Sequence, residues 1–375
     1  MLTRRQILAR TALGALGTTG AALGLNLVPD SMPDGRQAKG MVTTASEGAI
    51  SRGLSYLARQ GRNGSFGVHG AYRGNVAMSS MAGMAFMAGG HQPGRGRYGK
   101  IVTQCLRYVM GLSRRWGRFN GYLYNPAVGM HGPMYGHGFG ALFLGESYGM
   151  VHEKRLRAEL RQKLTLAIDL IVRSQNREGG WRYRPSSTDA DISVTNCQIM
   201  ALRSARNAGF AVPSKVVDRC VEYVKRCQDR ADGSFKYQTR RRGHFGQPFA
   251  RTAAGVCALY SAGIYKGPEV ESGLRYLKNN YPTANGGRFG GLRLRGGREN
   301  MQYFYGHYYA AQAMWTRGDD GGRYWSDWFP RIREELLKKQ NPDGSLTYQI
   351  DTHYATAMAC VILQIPNNYL PILQK

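Results

Sequence analysis

The stretch Gln175-Asn176-Arg177-Glu178-Gly179-Gly180-Trp181 is a short polar turn that ends on an aromatic residue. On its N-terminal side, Leu166, Leu170 and Ile171 recur at the spacing of one helix face, the pattern of an amphipathic helix. On its C-terminal side, Ser193–Ala208 is apolar on nearly every side and rich in small residues. A helix of that composition is buried all round. The unit is therefore one half-exposed helix, one tight turn and one buried helix.

The same unit recurs along the chain. Related turns are Gly64-Ser65-Phe66, Gly117-Arg118-Phe119, Gly233-Ser234-Phe235, Gly286-Gly287-Arg288-Phe289 and Gly344-Ser345-Leu346, and their final residues are spaced by 53, 62, 54, 54 and 57. Four copies carry a glutamine just before the turn, at Gln60, Gln175, Gln228 and Gln340. Amphipathic stretches precede the turns, as in Val217-Val221-Val224 and Ile332-Leu336-Leu337. Buried stretches follow them: Met78–Ala88, Gly136–Tyr148, Ser193–Ala208, Phe249–Ala262, Gln302–Trp315 and His353–Leu363. A fixed period of this length marks a repeat architecture. Because the second helix of each pair needs cover on both faces, the pairs are expected to close on themselves instead of stacking into an open solenoid. The expected fold is all-α, an α6/α6 toroid of six helix pairs over residues 41–375, with residues 1–40 as leader and linker.

Gln175 through Trp181 resembles the Gln…Gly-x-Trp repeat of squalene cyclases, and Gln228…Phe235 and Gln340…Leu346 resemble the weaker repeats of protein prenyltransferase β-subunits. The resemblance to the terpenoid cyclase and protein prenyltransferase superfamily covers residues 41–375 and implies the toroid fold. It also implies that Gln175 and Trp181 tie helices to turns. It says nothing by itself about chemistry.

Chemistry is sought where polar residues share a height in the inner ring. Counting back from the ends of the buried helices puts His137, Cys197, Arg251, His307 and His353 near one level, with Ala77 in the first repeat. The expectation is a polar mouth in which His137, Arg251, His353, Tyr135 and Tyr305 bind substrate. The positive ends of the inner helices there favour an anionic group. Asp189-Ala190-Asp191-Ile192 resembles the Asp-x-Asp-Asp motif of class II terpene cyclases, with Ile192 in place of the last carboxylate. The resemblance implies Asp191 as general acid; Asp189 and His307 are the further catalytic candidates. The residue-level alternative is that Asp191 caps the helix that follows. A prenyltransferase zinc site has Asp-x-Cys, whereas Asp191 and Cys197 are six apart; Cys197, His307 and His353 are the alternative zinc ligands, and no metal and no cofactor are expected. Paired acids for glycan cleavage would come from Asp189, Asp191, Glu146, Glu299 or Asp351.

The chain has 375 residues, 51 Lys and Arg against 24 Asp and Glu, and a net charge of +27. Such a charge favours anionic partners. The basic residues are scattered, with Arg240-Arg241-Arg242 the only dense run, so nucleic acid is not expected as the partner. A membrane surface is compatible with the charge. Arg4-Arg5 followed by the Gly/Ala-rich stretch Ala12–Val28 reads as a twin-arginine export signal, which implies a periplasmic or outward-anchored protein. Six cysteines lie in apolar-periodic segments without a Cys-x-x-Cys, which favours buried free thiols. With 23 Tyr, 12 Phe and 5 Trp, the expected lumen is aromatic. The favoured expectation is a protein that binds or transforms an isoprenoid-like apolar molecule with an anionic head. The alternatives are a non-catalytic binding or scaffold protein and a glycan-processing enzyme on the same fold.

Overall fold

The computed structural model describes residues 35–68, 70–128, 132–239, 248–282 and 302–374. The leader with Arg4-Arg5, the run Arg240–Arg242, Glu299 and the turn Gly286–Phe289 lie outside these residues. The described residues hold twelve α-helices and no β-strand. The outer set is α1 (Thr44–Gln60), α3 (Gly99–Gly111), α5 (Lys154–Ser174), α7 (Ser214–Cys227), α9 (Pro268–Asn279) and α11 (Trp325–Lys339). The inner set alternates with it: α2 (Val76–Ala88), α4 (Pro133–Tyr148), α6 (Ile192–Asn207), α8 (Pro248–Ser261), α10 (Tyr303–Arg317) and α12 (Thr352–Gln364).

Composition decides which helix goes where. On α7 only Val216, Cys220, Tyr223, Val224 and Cys227 are buried, one stripe at helical spacing. On α4 every residue from Gly136 to Ser147 is buried. Each inner helix packs on the inner helices of the neighbouring repeats, and α12 packs on α2 while α11 packs on α1. The ring is closed.

Closure uses the same bonds as every other junction. Gln175 Nε2 donates to Gly179 O of its own turn and to Val216 O of the next outer helix, each at 2.8 Å. Gln228 does the same to Gly233 O and Glu269 O. Gln340 donates to Gly344 O and, across the seam, to Ala49 O of α1. The seam is further held by Gln364 Nε2 to Ala85 O at 3.0 Å. The turn glycine is required by space as well as by conformation. Gly179 has φ of +95°, and a Cβ there would lie 2.2 Å from Arg219 O of the next outer helix.

The second turn is displaced from its expected place. Its glycine against the next outer helix is Gly121, beside Leu166 O, and its bonded apolar residue is Leu123. Gly117-Arg118-Phe119 is an extra hairpin outside it. With Leu123 as the marker the spacings become 57 and 58, so the repeat is more regular than the aromatic residues alone suggested.

Every outer helix ends, and every inner helix begins, at one end of the toroid. At the other end the chain tail crosses the bottom. The 3-10 turn Pro371–Leu373 touches both α6 and α10, which are not neighbours in the ring. Ile372 N donates to Glu146 Oε2 at 2.9 Å and Trp315 Nε1 to Leu373 O at 3.2 Å. A strap from Gly35 also packs here, with Gln37 bonded to Trp315 O and Trp325 Nε1 to Gln37 O. Gln37, before residue 41, is thus bonded to the toroid. All six cysteines are buried and free. No helix among the described residues is long and apolar enough to cross a membrane.

Candidate functional site

On five of the six inner helices one residue points outward, to the turn of its own repeat. Phe66 N donates to Ser79 Oγ, Leu123 N to His137 Nδ1, Trp181 N to Thr195 Oγ1, Phe235 N to Thr252 Oγ1 and Leu346 N to Thr356 Oγ1, all between 2.9 and 3.1 Å. His307 stands at the corresponding position of α10. Two residues earlier on a helix is a rotation of about 200°, so the opposite face of the inner ring is formed by Ala77, Tyr135, Ser193, Ala250, Tyr305 and Tyr354. By this register they face the centre of the ring at the end where the inner helices begin: three phenols and three small residues, one from each repeat.

This geometry reassigns most of the sequence candidates. Of the polar residues expected at one height, only His137 and His307 share the register of the turn-facing residues; Arg251 lies one residue before it, His353 three before it and Cys197 two after it. His137 is fully buried; its Nε2–H reaches Ala167 O at 3.2 Å while Nδ1 accepts from Leu123. Burial pushes its pKa down to about 4, against the Ala167 bond, so it is neutral and structural. His353 Nδ1 accepts from Gly67 N at 3.0 Å, and its ring meets Tyr56 and Phe66 edge-on. It stitches the last repeat to the first. Arg251 is 4% exposed and bonds Phe235 O through Nε. His307 sits among Phe249, Tyr281, Tyr303 and Trp328 with ring centroids 4.5 to 5.9 Å away. Burial holds its pKa at about 3, which leaves no proton to donate at neutral pH. Cys197, His307 and His353 do not converge, and no group of three or more metal-ligating side chains occurs among the described residues.

Asp191 is the N-cap of α6. Its Oδ1 accepts from Ser193 N and Val194 N at 2.9 Å, and its Oδ2 meets Arg182 Nη1 at 3.1 Å. Asn75 and Asp351 hold the same cap position on α2 and α12, so Asp191 belongs to a structural series. Burial lifts its pKa to about 6, while the two N–H groups and Arg182 pull it down; at neutral pH it is a carboxylate with both oxygens engaged. That is the arrangement of a cap and ion pair, not of a proton donor. Asp189 is half-exposed, at 3.2 Å from Arg182 Nε, and accepts from Gln238. Both aspartates therefore flank a single guanidinium. Of the other acids, Asp351 caps α12 and accepts from Val68 N at 2.6 Å. Glu146 lies at the opposite end, bonded to Ser204 Oγ at 2.7 Å and to Ile372 N.

What remains at the mouth is a basin of phenols. Arg182 lies 4.3 Å from the Tyr183 ring centroid and donates to Tyr237 OH at 3.0 Å; the Tyr183 and Tyr237 hydroxyls bond each other. In addition to burial, Tyr305 raises the pKa of the Tyr135 phenol, and Tyr354 that of Tyr305. All three rings keep partial exposure, while burial pushes their phenol pKa values well up. Tyr135 and Tyr354 have no hydrogen-bond partner for their hydroxyls among the described residues. Sequence reasoning found Tyr135 and Tyr305 but missed Tyr354, Tyr237 and Arg182. The signal for Tyr354 was present, two residues before Thr356 as Tyr135 is before His137.

The floor of this basin is closed by contacts between helices that are not neighbours in the ring. Tyr305 OH donates to Ser193 O at 3.4 Å, and Tyr309 OH meets Cys197 Sγ at 3.3 Å, both joining α10 to α6. Below them Phe139 on α4 faces Tyr308 on α10 with centroids 6.3 Å apart. Burial pushes the Cys197 thiol up to about 12, so it is an unreactive floor group.

No protein-family model and no curated protein matches the chain. Solved structures do. An inactive variant of the alpha-1,6-mannanase GH76A of Salegentibacter sp. HEL1_6, in complex with alpha-1,6-mannotriose, matches with a TM-score of 0.57 and 11% identity over 85% of this chain and 98% of that one. A type II terpene cyclase from Scytonema in complex with geranylgeranyl dihydroxybenzoate matches with 0.56 and 14% over 87% and 98%. A D-mannose isomerase gives the same four figures. The fold is an α/α toroid. Terpenoid cyclases are one of several groups with this fold to which the chain is similar, and at these identities the likeness concerns fold alone.

Proposed function

We propose that this toroid is a saccharide-binding protein that takes the end of a glycan chain in the phenol-lined basin. The observation that carries the reading is that α10 is bonded to α6 across the centre of the ring. These bonds, at Tyr305 and again at Tyr309, interrupt the lumen. A long polyprenyl chain needs a deep apolar tunnel; one or two sugar rings need only an aromatic wall and hydroxyl partners. The hydroxyls of Tyr135 and Tyr354 favour the same choice. Hydrocarbon against them leaves each unsatisfied at about 1–3 kcal/mol, whereas a polyol supplies partners. Two of the similar structures, the mannanase and the mannose isomerase, are named for mannose chemistry. Bond cleavage by paired acids is not part of the proposal, because Asp189 and Asp191 flank one arginine.

The test is calorimetric titration with neutral manno- and gluco-oligosaccharides and, in parallel, a geranylgeranyl-bearing lipid. Saccharide binding is expected, and Tyr135→Phe and Tyr354→Phe should each weaken it about fivefold through loss of one hydrogen bond. Binding of the lipid without any saccharide, unaltered by either substitution, overturns the reading in favour of an isoprenoid.

A further inference from the structure

Four of the five tryptophans are buried: Trp181, Trp315, Trp325 and Trp328 are each at most 4% exposed. The fifth, Trp116, is 79% exposed. It sits in Ser113-Arg114-Arg115-Trp116-Gly117-Arg118, a segment without an acidic residue until well beyond Val128. This is the extra hairpin that displaced the second turn, and it lies at the mouth end of the toroid, because its last residue Leu123 bonds His137 in the first turns of α4.

The display of the indole is braced. Arg114 N donates to Tyr122 O and Gly121 N to Arg114 O, while Asn120 N closes the tip on Gly117 O. Arg173 at the end of α5 donates to Arg118 O and Asn120 O. A large amphipathic ring is thus held in water by a fixed backbone, and indoles of this kind are enriched at contact surfaces. The same segment carries Arg114, Arg115 and Arg118, the last with its guanidinium 4.6 Å from the Phe119 ring centroid, and from the third turn the exposed Arg184 acts with Arg114 on the Tyr122 phenol. None of the four has a carboxylate partner among the described residues, although the chain forms ion pairs elsewhere.

We infer that Trp116 and these arginines form a rim subsite for an acidic glycan, one bearing carboxylate or sulfate groups. The inference deepens the saccharide reading of the lumen and rests on it for the class of polymer. A lone indole is a complete stacking platform for one sugar ring. It is a poor membrane keel, since membrane binding grows with the apolar area inserted and no second large apolar side chain is exposed in this hairpin. The guanidinium fork matches carboxylate and sulfate oxygens in two-point bonds. A net charge of +27 raises the local concentration of any polyanion. The rim would hold the charged chain while the basin takes its end.

Polygalacturonate oligomers and dextran sulfate serve as probes, with neutral dextran, a single-stranded oligonucleotide and phosphatidylglycerol vesicles as comparators. Trp116→Ala should weaken binding of the acidic oligosaccharides about tenfold with an unchanged melting temperature, because the ring packs on nothing. The triple variant Arg114→Gln, Arg115→Gln, Arg118→Gln should weaken it further and flatten its salt dependence. Neutral dextran should bind at least tenfold less tightly than the acidic probes, about the effect of one strong charge-assisted pair. Acidic-glycan binding that ignores Trp116→Ala overturns the inference. So does Trp116-dependent binding that is tighter for the oligonucleotide or the vesicles. Tyr135→Phe and Tyr354→Phe separate the two claims: rim binding that survives while no saccharide registers in the basin removes the lumen reading and leaves the rim.

Discussion

At the scale of single residues, burial and bonding divide the ionisable groups into those that can act and those that hold the fold. Glu146 is the clearest holding group. It is buried inside α4, bonded to Ser204 and to the tail at Ile372, and burial pushes its pKa up to about 7 despite those bonds. A carboxyl whose folded pKa is raised binds its proton more tightly in the folded state. Its favourable contribution is complete below the unfolded pKa and is lost as pH rises through the folded one. Stability should therefore fall between pH about 4.5 and pH about 7, by up to about 3 kcal/mol from this group. Glu146→Gln should keep both bonds, with Ser204 turned to accept from the new amide, and should remove most of that slope. Urea unfolding of both proteins at pH 5 and pH 8 checks it: the variant should gain on the parent only at the higher pH. Asp191, also raised by burial and to about 6, leaves a residual slope of the same sign in the variant. Equal pH dependence of the two proteins would show that Glu146 does not titrate in this window.

At the scale of elements, the unit is the outer helix, its glutamine, its turn and the first turns of the inner helix. Trp181 shows why the aromatic matters. It is 1% exposed, its N–H bonds Thr195 and its Nε1 donates to Ile171 O at 2.8 Å. One side chain thus joins the turn to the outer helix while its backbone joins the inner one. Trp181→Ala should cost about 3–5 kcal/mol, the range for a fully buried aromatic. Gly179→Ala should be comparably harmful for a different reason, since its positive φ strains any other residue and the new methyl meets backbone oxygen. Chemical denaturation measures both. The expectation is a loss of stability with saccharide affinity unchanged at low temperature; intact stability with lost binding would move Trp181 into the site.

At the scale of the whole molecule, closure makes the six pairs one cooperative body. An open array of repeats frays from its ends, but here Gln340 reaches Ala49, Gln364 reaches Ala85 and His353 receives Gly67. Native-state hydrogen exchange should therefore find amides of α1 and α11 as protected as those of α5 and α7. Gln340→Ala, which removes the seam bond to Ala49 together with the bond to Gly344 of its own turn, should lower protection in α1 and α11 first. Fraying of the terminal repeats in the parent itself would contradict a closed ring.

The repeat period, the alternation of striped and wholly apolar helices, and hence the toroid could be read from the sequence, because helix burial leaves a periodic trace in composition. So could the structural roles of Gln175 and Trp181, since each recurs at a fixed place in the unit. The direction of a polar side chain could not. His137 and Tyr135 are two residues apart on one helix, at one height and with similar neighbours, yet one faces a turn and the other the lumen. A wholly buried helix carries no polar face to mark which side is which, so only the bond from Leu123 distinguishes them. The bridging of the lumen was equally hidden. It depends on Tyr305 and Tyr309 of the fifth repeat reaching the third, contacts between distant segments that no local pattern encodes. The sequence by itself determined a ring of six helix pairs; the tertiary structure decided that tyrosines of the fifth repeat bridge its interior to the third, because the ring brings together side chains more than a hundred residues apart.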